Sequence, residues 1–162
     1  NLNMEIEQIS RRSFLSAAVL LVGGSHTTKV SLAETDTTKD LREYVVKFLD
    51  DFNSGDPELF KSHFHFPHTK ISTPNIEWID DSKESLIDYE KLRQTGWVES
   101  ISNEIEVMYA TKDKGLVRLN FSRIDKDGNV ILTTDSIYTL TKIEGKWGIA
   151  VLFIGMNDLP LN

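Results

Sequence analysis

The stretch Tyr138-Thr139-Leu140-Thr141-Lys142-Ile143-Glu144-Gly145-Lys146-Trp147-Gly148-Ile149 decides the fold class. Tyr138 and Leu140 alternate with Thr139 and Thr141, the period-two pattern of a strand whose two faces differ. Glu144-Gly145 supplies a tight turn, and residues 146–154 resume as a second strand rich in aromatic and β-branched side chains. The segment therefore predicts a β-hairpin near the end of the chain.

Working backwards, residues 130–141 predict one long strand. Before it, Asp127-Gly128 has the chemistry of a type I′ hairpin turn. Residues 116–123 set Val117, Leu119 and Phe121 against Arg118, Asn120 and Ser122. Residues 104–110 alternate in the same way. Residues 70–78 predict two short strands broken at Thr73-Pro74-Asn75. The second half is thus a meander of antiparallel strands.

The preceding third is helical. Leu41, Tyr44, Val45, Phe48, Leu49 and Phe52 repeat at the spacing of an amphipathic helix of about four turns. Asn53-Ser54-Gly55-Asp56 ends it, with Gly55 suited to the left-handed position after a helix. Asp56-Pro57-Glu58 then starts a short second helix, with Pro67 as its stop. Asp81-Ser82-Lys83-Glu84 resembles a capping box and predicts a third helix running to Gln94. Helices first and strands after make an α+β class.

Composition narrows the partners. The chain has 162 residues, a formal net charge of −7 and no cysteine. Disulfides, thiolate nucleophiles and thiolate metal sites are excluded. Nucleic acid and anionic membrane, which need a basic face, are not expected partners. The charge is uneven: residues 1–33 sum to +1 and the remainder to −8. Ser10-Arg11-Arg12-Ser13-Phe14-Leu15 precedes a short apolar run, and Ser31-Leu32-Ala33 offers a cleavage site. This block resembles a bacterial twin-arginine signal peptide, with Ser16 where lysine is usual and Met4 a candidate start. The resemblance implies export to the periplasm or medium. The expected organisation is a signal peptide over 1–33, a disordered lead-in over 34–38 and one domain over 39–162. No stable membrane span is expected after cleavage, because the run from Ala17 to Gly24 is far short of the roughly 20 residues needed.

Three features of the mature chain carry a family resemblance: the first helix running into Asn53-Ser54-Gly55-Asp56, the strand Thr134-Asp135-Ser136-Ile137, and the closing Gly145-Lys146-Trp147-Gly148-Ile149. Together they resemble the nuclear-transport-factor-2-like superfamily, which includes ketosteroid isomerases, scytalone dehydratase and the SnoaL-like polyketide cyclases. The resemblance spans residues 39–155. It implies a cone-shaped, strongly curved antiparallel sheet wrapped around three helices, an apolar cavity at its wide end, and a homodimer formed through the outer sheet face. It implies a small apolar molecule as ligand or substrate, and cofactor-independent lyase or isomerase chemistry if the protein is an enzyme. A non-catalytic association module is the alternative. No cofactor is expected.

His63, His65 and His68 fall within six residues. Such a cluster can provide a pocket acid/base, surface or core residues, or a metal site; the His-x-His pair lacks an evident acidic partner, and no metal is expected. Asp135 is the second candidate, as a carboxyl raised in pKa by an apolar cavity, or as an outward residue if the face of Tyr138 and Leu140 is the buried one. The isomerase pattern itself is absent: Phe48 stands at the position of that family's oxyanion-hole tyrosine and Ser72 at that of its general base. A dehydratase-like pair fits better, with His65 or His68 as acid/base and Asp135 orienting it. Tyr44, Phe48, His63, Phe66, Trp78, Trp97 and Tyr109 are candidate cavity residues, core packing being the other reading of the tyrosine and tryptophans. Arg118 would clamp a substrate carboxylate if it faced inward, and serve solvent or a dimer contact otherwise.

Overall fold

The computed structural model describes residues 35–72, 75–83 and 85–155. The expected export signal and its cleavage site, in residues 1–33, lie outside the described residues. The first helix, α1 (Asp36–Asn53), begins inside the expected lead-in. Thr35 and Thr38 cap it reciprocally: Thr35 Oγ1 accepts the Thr38 N–H at 3.2 Å, and Thr38 Oγ1 accepts the Thr35 N–H at 2.7 Å. Two orphan donors are thereby satisfied, which lets a polar stretch join the helix. Leu41, Val45, Phe48, Leu49 and Phe52 of the predicted stripe are buried, Tyr44 is half-buried, and Thr38 joins the buried face. The chain leaves the helix through Gly55 at φ 74°.

Helix α2 (Pro57–Lys61) starts as its sequence dictates, the Asp56 carboxylate accepting the N–H groups of Glu58 and Leu59 at 2.8 and 3.2 Å. It ends well before Pro67, which lies inside strand β1 (Phe64–Ser72). Strand β2 (Asn75–Ile79) pairs back onto β1 antiparallel. The expected long third helix is a single short one, α3 (Tyr89–Gln94). The local signal at 81–84 loses to an Asp80 turn, in which the Asp80 carboxylate accepts the Ser82 N–H at 2.9 Å. The true N-cap is Asp88, whose carboxylate accepts the Lys91 N–H at 2.9 Å. Leu86 and Ile87, freed from a helix, pack against the core.

Strands β3 (Glu99–Thr111), β4 (Lys114–Ile124), β5 (Val130–Ile143) and β6 (Lys146–Ile154) form the meander. Glu144 and Gly145 hold φ 50° and 80°, the double left-handed turn of type I′ that joins β5 to β6. At the earlier hairpin only Gly128 is left-handed, at 81°, so the turn is a longer loop and not type I′. There the Asp125 carboxylate accepts the N–H groups of Asp127 and Asn129 and sets the loop.

The sheet order is β2-β1-β6-β5-β4-β3. Contrary to the all-antiparallel expectation, β1 and β6 run parallel, because β1 enters from α2 at the same end from which β6 leaves its turn. Their register shifts between Phe64 and Thr69, the stretch holding Pro67, which has no N–H to give the ladder. The edge strands β2 and β3 do not pair, so the sheet is open and not a closed barrel. Helix α1 crosses β3 and β4 on the core face, and Leu41, fully buried, lies against Gly115 of β4. Among the described residues no helix is long and apolar enough to cross a membrane.

Candidate functional site

Between the helices and the core face of the sheet lies a cavity of about 400 Å³. That volume suits a small organic ligand. Its walls are predominantly aromatic and aliphatic, with Phe48, Phe60, Phe64, Leu119, Phe121 and Leu152 among them. The alternation of β1, β4 and β5 decides which polar groups join them. Every second residue of β5 from Thr134 to Leu140 is buried, so Ser136 and Tyr138 reach the cavity. The series Leu119, Phe121, Arg123 does the same for β4, and Phe64, His68, Lys70 for β1.

His68 is the central polar group. It is 2% exposed, and its Nδ1 has no hydrogen-bond partner. Its ring lies 4.6 Å from that of Phe64 and 5.2 Å from that of Phe66, centroid to centroid. Burial lowers its pKa below the ordinary histidine value, and the nearby charges of Lys83 and Lys70 lower it further. At neutral pH the cavity wall therefore holds a neutral imidazole whose Nδ1 is buried and unpartnered. Tyr138, also in the cavity wall, is 4% exposed, and burial holds its phenol protonated far above the usual range.

The expected partnership of His65 or His68 with Asp135 is not formed. Asp135 points to the outer face of β5, opposite the cavity, because Ser136 and Tyr138 take the inner positions. There its carboxylate meets Arg118 at 2.9 Å and accepts from Asn120 at 3.0 Å. Arg118 also lies 3.4 Å from both Glu104 and Glu106, so it is an outer-face residue and no inward clamp. His65 faces outward as well, with Nδ1 2.9 Å from the Thr141 hydroxyl and its ring over Gly148.

The His–Asp pair of this protein is a different one. His63 Nε2 sits 2.7 Å from the Asp51 carboxylate of α1, and the Tyr44 hydroxyl donates to the His63 carbonyl at 2.7 Å. Asp51 also pairs with Lys47 one turn earlier. Burial lowers the His63 pKa despite the carboxylate beside it, while the Lys47 and His63 contacts lower that of Asp51. Neither His63 nor Tyr44 lines the cavity; the Phe48 ring, which does, packs edge-on against both His63 and Tyr138. The pair fastens the α2–β1 corner to α1.

Of the remaining candidates, Phe66 abuts His68, and Trp97 is buried core donating to Ser100 at 3.0 Å. Trp78 and Tyr109 are exposed on the sheet, at 73% and 53%. Only Phe48 and His68 of the expected site residues line the cavity. Arg123, Tyr138, Ser136 and Lys70 were missed. The signal for Arg123 was present: it is the next position on the Val117, Leu119, Phe121 face. Among the described residues no group of three or more His, Cys, Asp or Glu side chains could hold a metal ion.

A family model described as NTF2-like protein (DUF6841) matches residues 39–155. The chain belongs to this NTF2-like family. No curated protein matches it in sequence. Among solved structures, an NTF2-like protein with a cystatin-like fold from Novosphingobium aromaticivorans is 14% identical, with a TM-score of 0.63 over 78% of this chain and 85% of that one. A Shewanella frigidimarina protein assigned as a ketosteroid isomerase is 14% identical, with a TM-score of 0.52 over 70% and 92%. The association domain of the CaMKII kinase of C. elegans is 14% identical, with a TM-score of 0.51 over 74% and 95%. At these identities the likeness establishes the NTF2-like, cystatin-like fold and nothing finer.

Proposed function

We propose that this NTF2-like protein binds a small, largely apolar molecule in the cavity between its helices and its sheet. The observation that carries the reading is His68: a buried imidazole with a free nitrogen, set in an aromatic wall of a ligand-sized cavity. An unpartnered polar atom at 2% exposure is destabilising by itself, so a ligand group that meets it explains its presence. The test is binding of an apolar ligand such as octanol by calorimetry, to the natural protein and to Ser136→Trp, which fills part of the cavity. Binding that disappears in the filled variant supports the reading; binding unchanged by filling overturns it.

Lyase or isomerase chemistry without a cofactor is the catalytic form of the same reading. His68 as a neutral imidazole and Tyr138 as a phenol that stays protonated and can donate a hydrogen bond, in the wall of one cavity, support it. Self-association through the outer sheet face is a reading of another class. The association-domain neighbours and the exposed Ile76 and Trp78 on β2 support it. We also propose export by the twin-arginine-type segment of residues 1–33, supported by its Ser10-Arg11-Arg12 motif.

A further inference from the structure

The cationic groups of the cavity have no part in binding an apolar body. Lys70, Lys91 and Arg123 all contribute to its lining, against one carboxylate, Asp88. This excess of positive charge occurs in a protein whose net charge is −7. The carboxylate is already engaged, since Asp88 caps α3 by accepting the Lys91 N–H. Lys70 is shared with Glu77 at 3.6 Å. Arg123 differs from both. It is half-buried, its Nε is buried with no hydrogen-bond partner, and among the described residues no carboxylate lies within ion-pair distance of it. Its guanidinium carbon lies 6.0 Å from the centroid of the Phe121 ring. A buried cation is ordinarily paired, and a guanidinium presents a planar fork that fits a carboxylate.

We propose that the ligand is an amphipathic carboxylate, its apolar body among the cavity aromatics and its anionic head on Arg123. This rests on the cavity being the binding site. A single charge fits best, because Glu77 already pairs with Lys70 and Arg123 is the half-buried cation left without a carboxylate among the described residues. Burial lowers the Arg123 pKa below its ordinary value, as expected where a cation lacks its counter-ion.

The experiment compares octanoate, octanol and octylammonium by titration calorimetry against the full chain and against Arg123→Gln and Arg123→Lys. In the natural protein octanoate is expected to bind at least tenfold more tightly than octanol, and octylammonium most weakly. Arg123→Gln is expected to bring octanoate to the level of octanol in the same variant; Arg123→Lys keeps part of the preference. Equal binding of octanoate and octanol overturns the carboxylate assignment and leaves the cavity reading standing. Absence of binding by all three overturns the cavity reading. A preference undiminished in Arg123→Gln overturns the role of Arg123. The comparison in the natural protein stands even if a variant does not fold.

Discussion

Replacing His68 by phenylalanine should stabilise this protein. The side chain is 2% exposed and its Nδ1 has no partner. Leaving a buried polar group unsatisfied costs about 1–3 kcal/mol. A phenyl ring follows the outline of the imidazole with one more ring atom, and Phe64 and Phe66 already stand 4.6 and 5.2 Å from it, centroid to centroid. Some of the gain is lost to crowding. A net gain of about 1 kcal/mol remains, which moves a urea midpoint up by about 0.3–1 M at unchanged slope. The pH dependence sharpens the test. The native pKa of His68 is depressed, so below about pH 6.5 the unfolded chain takes up a proton that the native state refuses. The natural protein therefore loses stability as pH falls through that window, and the variant does not lose this part. The advantage of His68→Phe should widen from pH 7.5 to pH 5.5 in parallel urea titrations. A variant less stable by more than 1 kcal/mol, or an advantage that narrows on acidification, would refute the reasoning. It would mean that His68 is a satisfied core residue and not a group held ready for a ligand.

Other perturbations test the frame around the site. Asp51→Asn removes the carboxylate that holds buried His63, and should lower stability by about 1–3 kcal/mol in urea without altering octanol binding. Gly115→Ala would place its Cβ 2.7 Å from both methyl carbons of fully buried Leu41, so a cost of about 1–3 kcal/mol is expected in the same assay. If the amino-terminal segment is a twin-arginine signal, Arg11→Lys with Arg12→Lys should leave the protein in the bacterial cytoplasm, read by fractionation; undiminished export would remove that proposal.

The helical and hairpin elements were legible because each rests on local chemistry. The stripe from Leu41 to Phe52, the Asp56-Pro57 start and the Glu144-Gly145 turn are specified by neighbours in sequence. Elements settled by distant contacts were not. The segment at 81–87 carries a helix signal, yet Leu86 and Ile87 are taken by the cavity wall. The parallel pairing of β1 with β6 joins strands some eighty residues apart and leaves no mark in either. The site divides the same way. Strand alternation alone put Tyr138 opposite Asp135, and applied consistently it sends Asp135 outward and Arg123 inward. The partner of a histidine is another matter: Asp51 lies on α1, and only packing brings it to His63.

The central claim, that the interior cavity is where a ligand binds, is tested most directly by following backbone amide resonances during titration with octanol. The account predicts shifts concentrated at cavity residues, namely Phe64, His68, Phe121, Arg123, Tyr138 and Leu152, with Asp135, Ile137 and Thr139 of the outer face unmoved. Shifts confined to the outer face, or none at all, would contradict it.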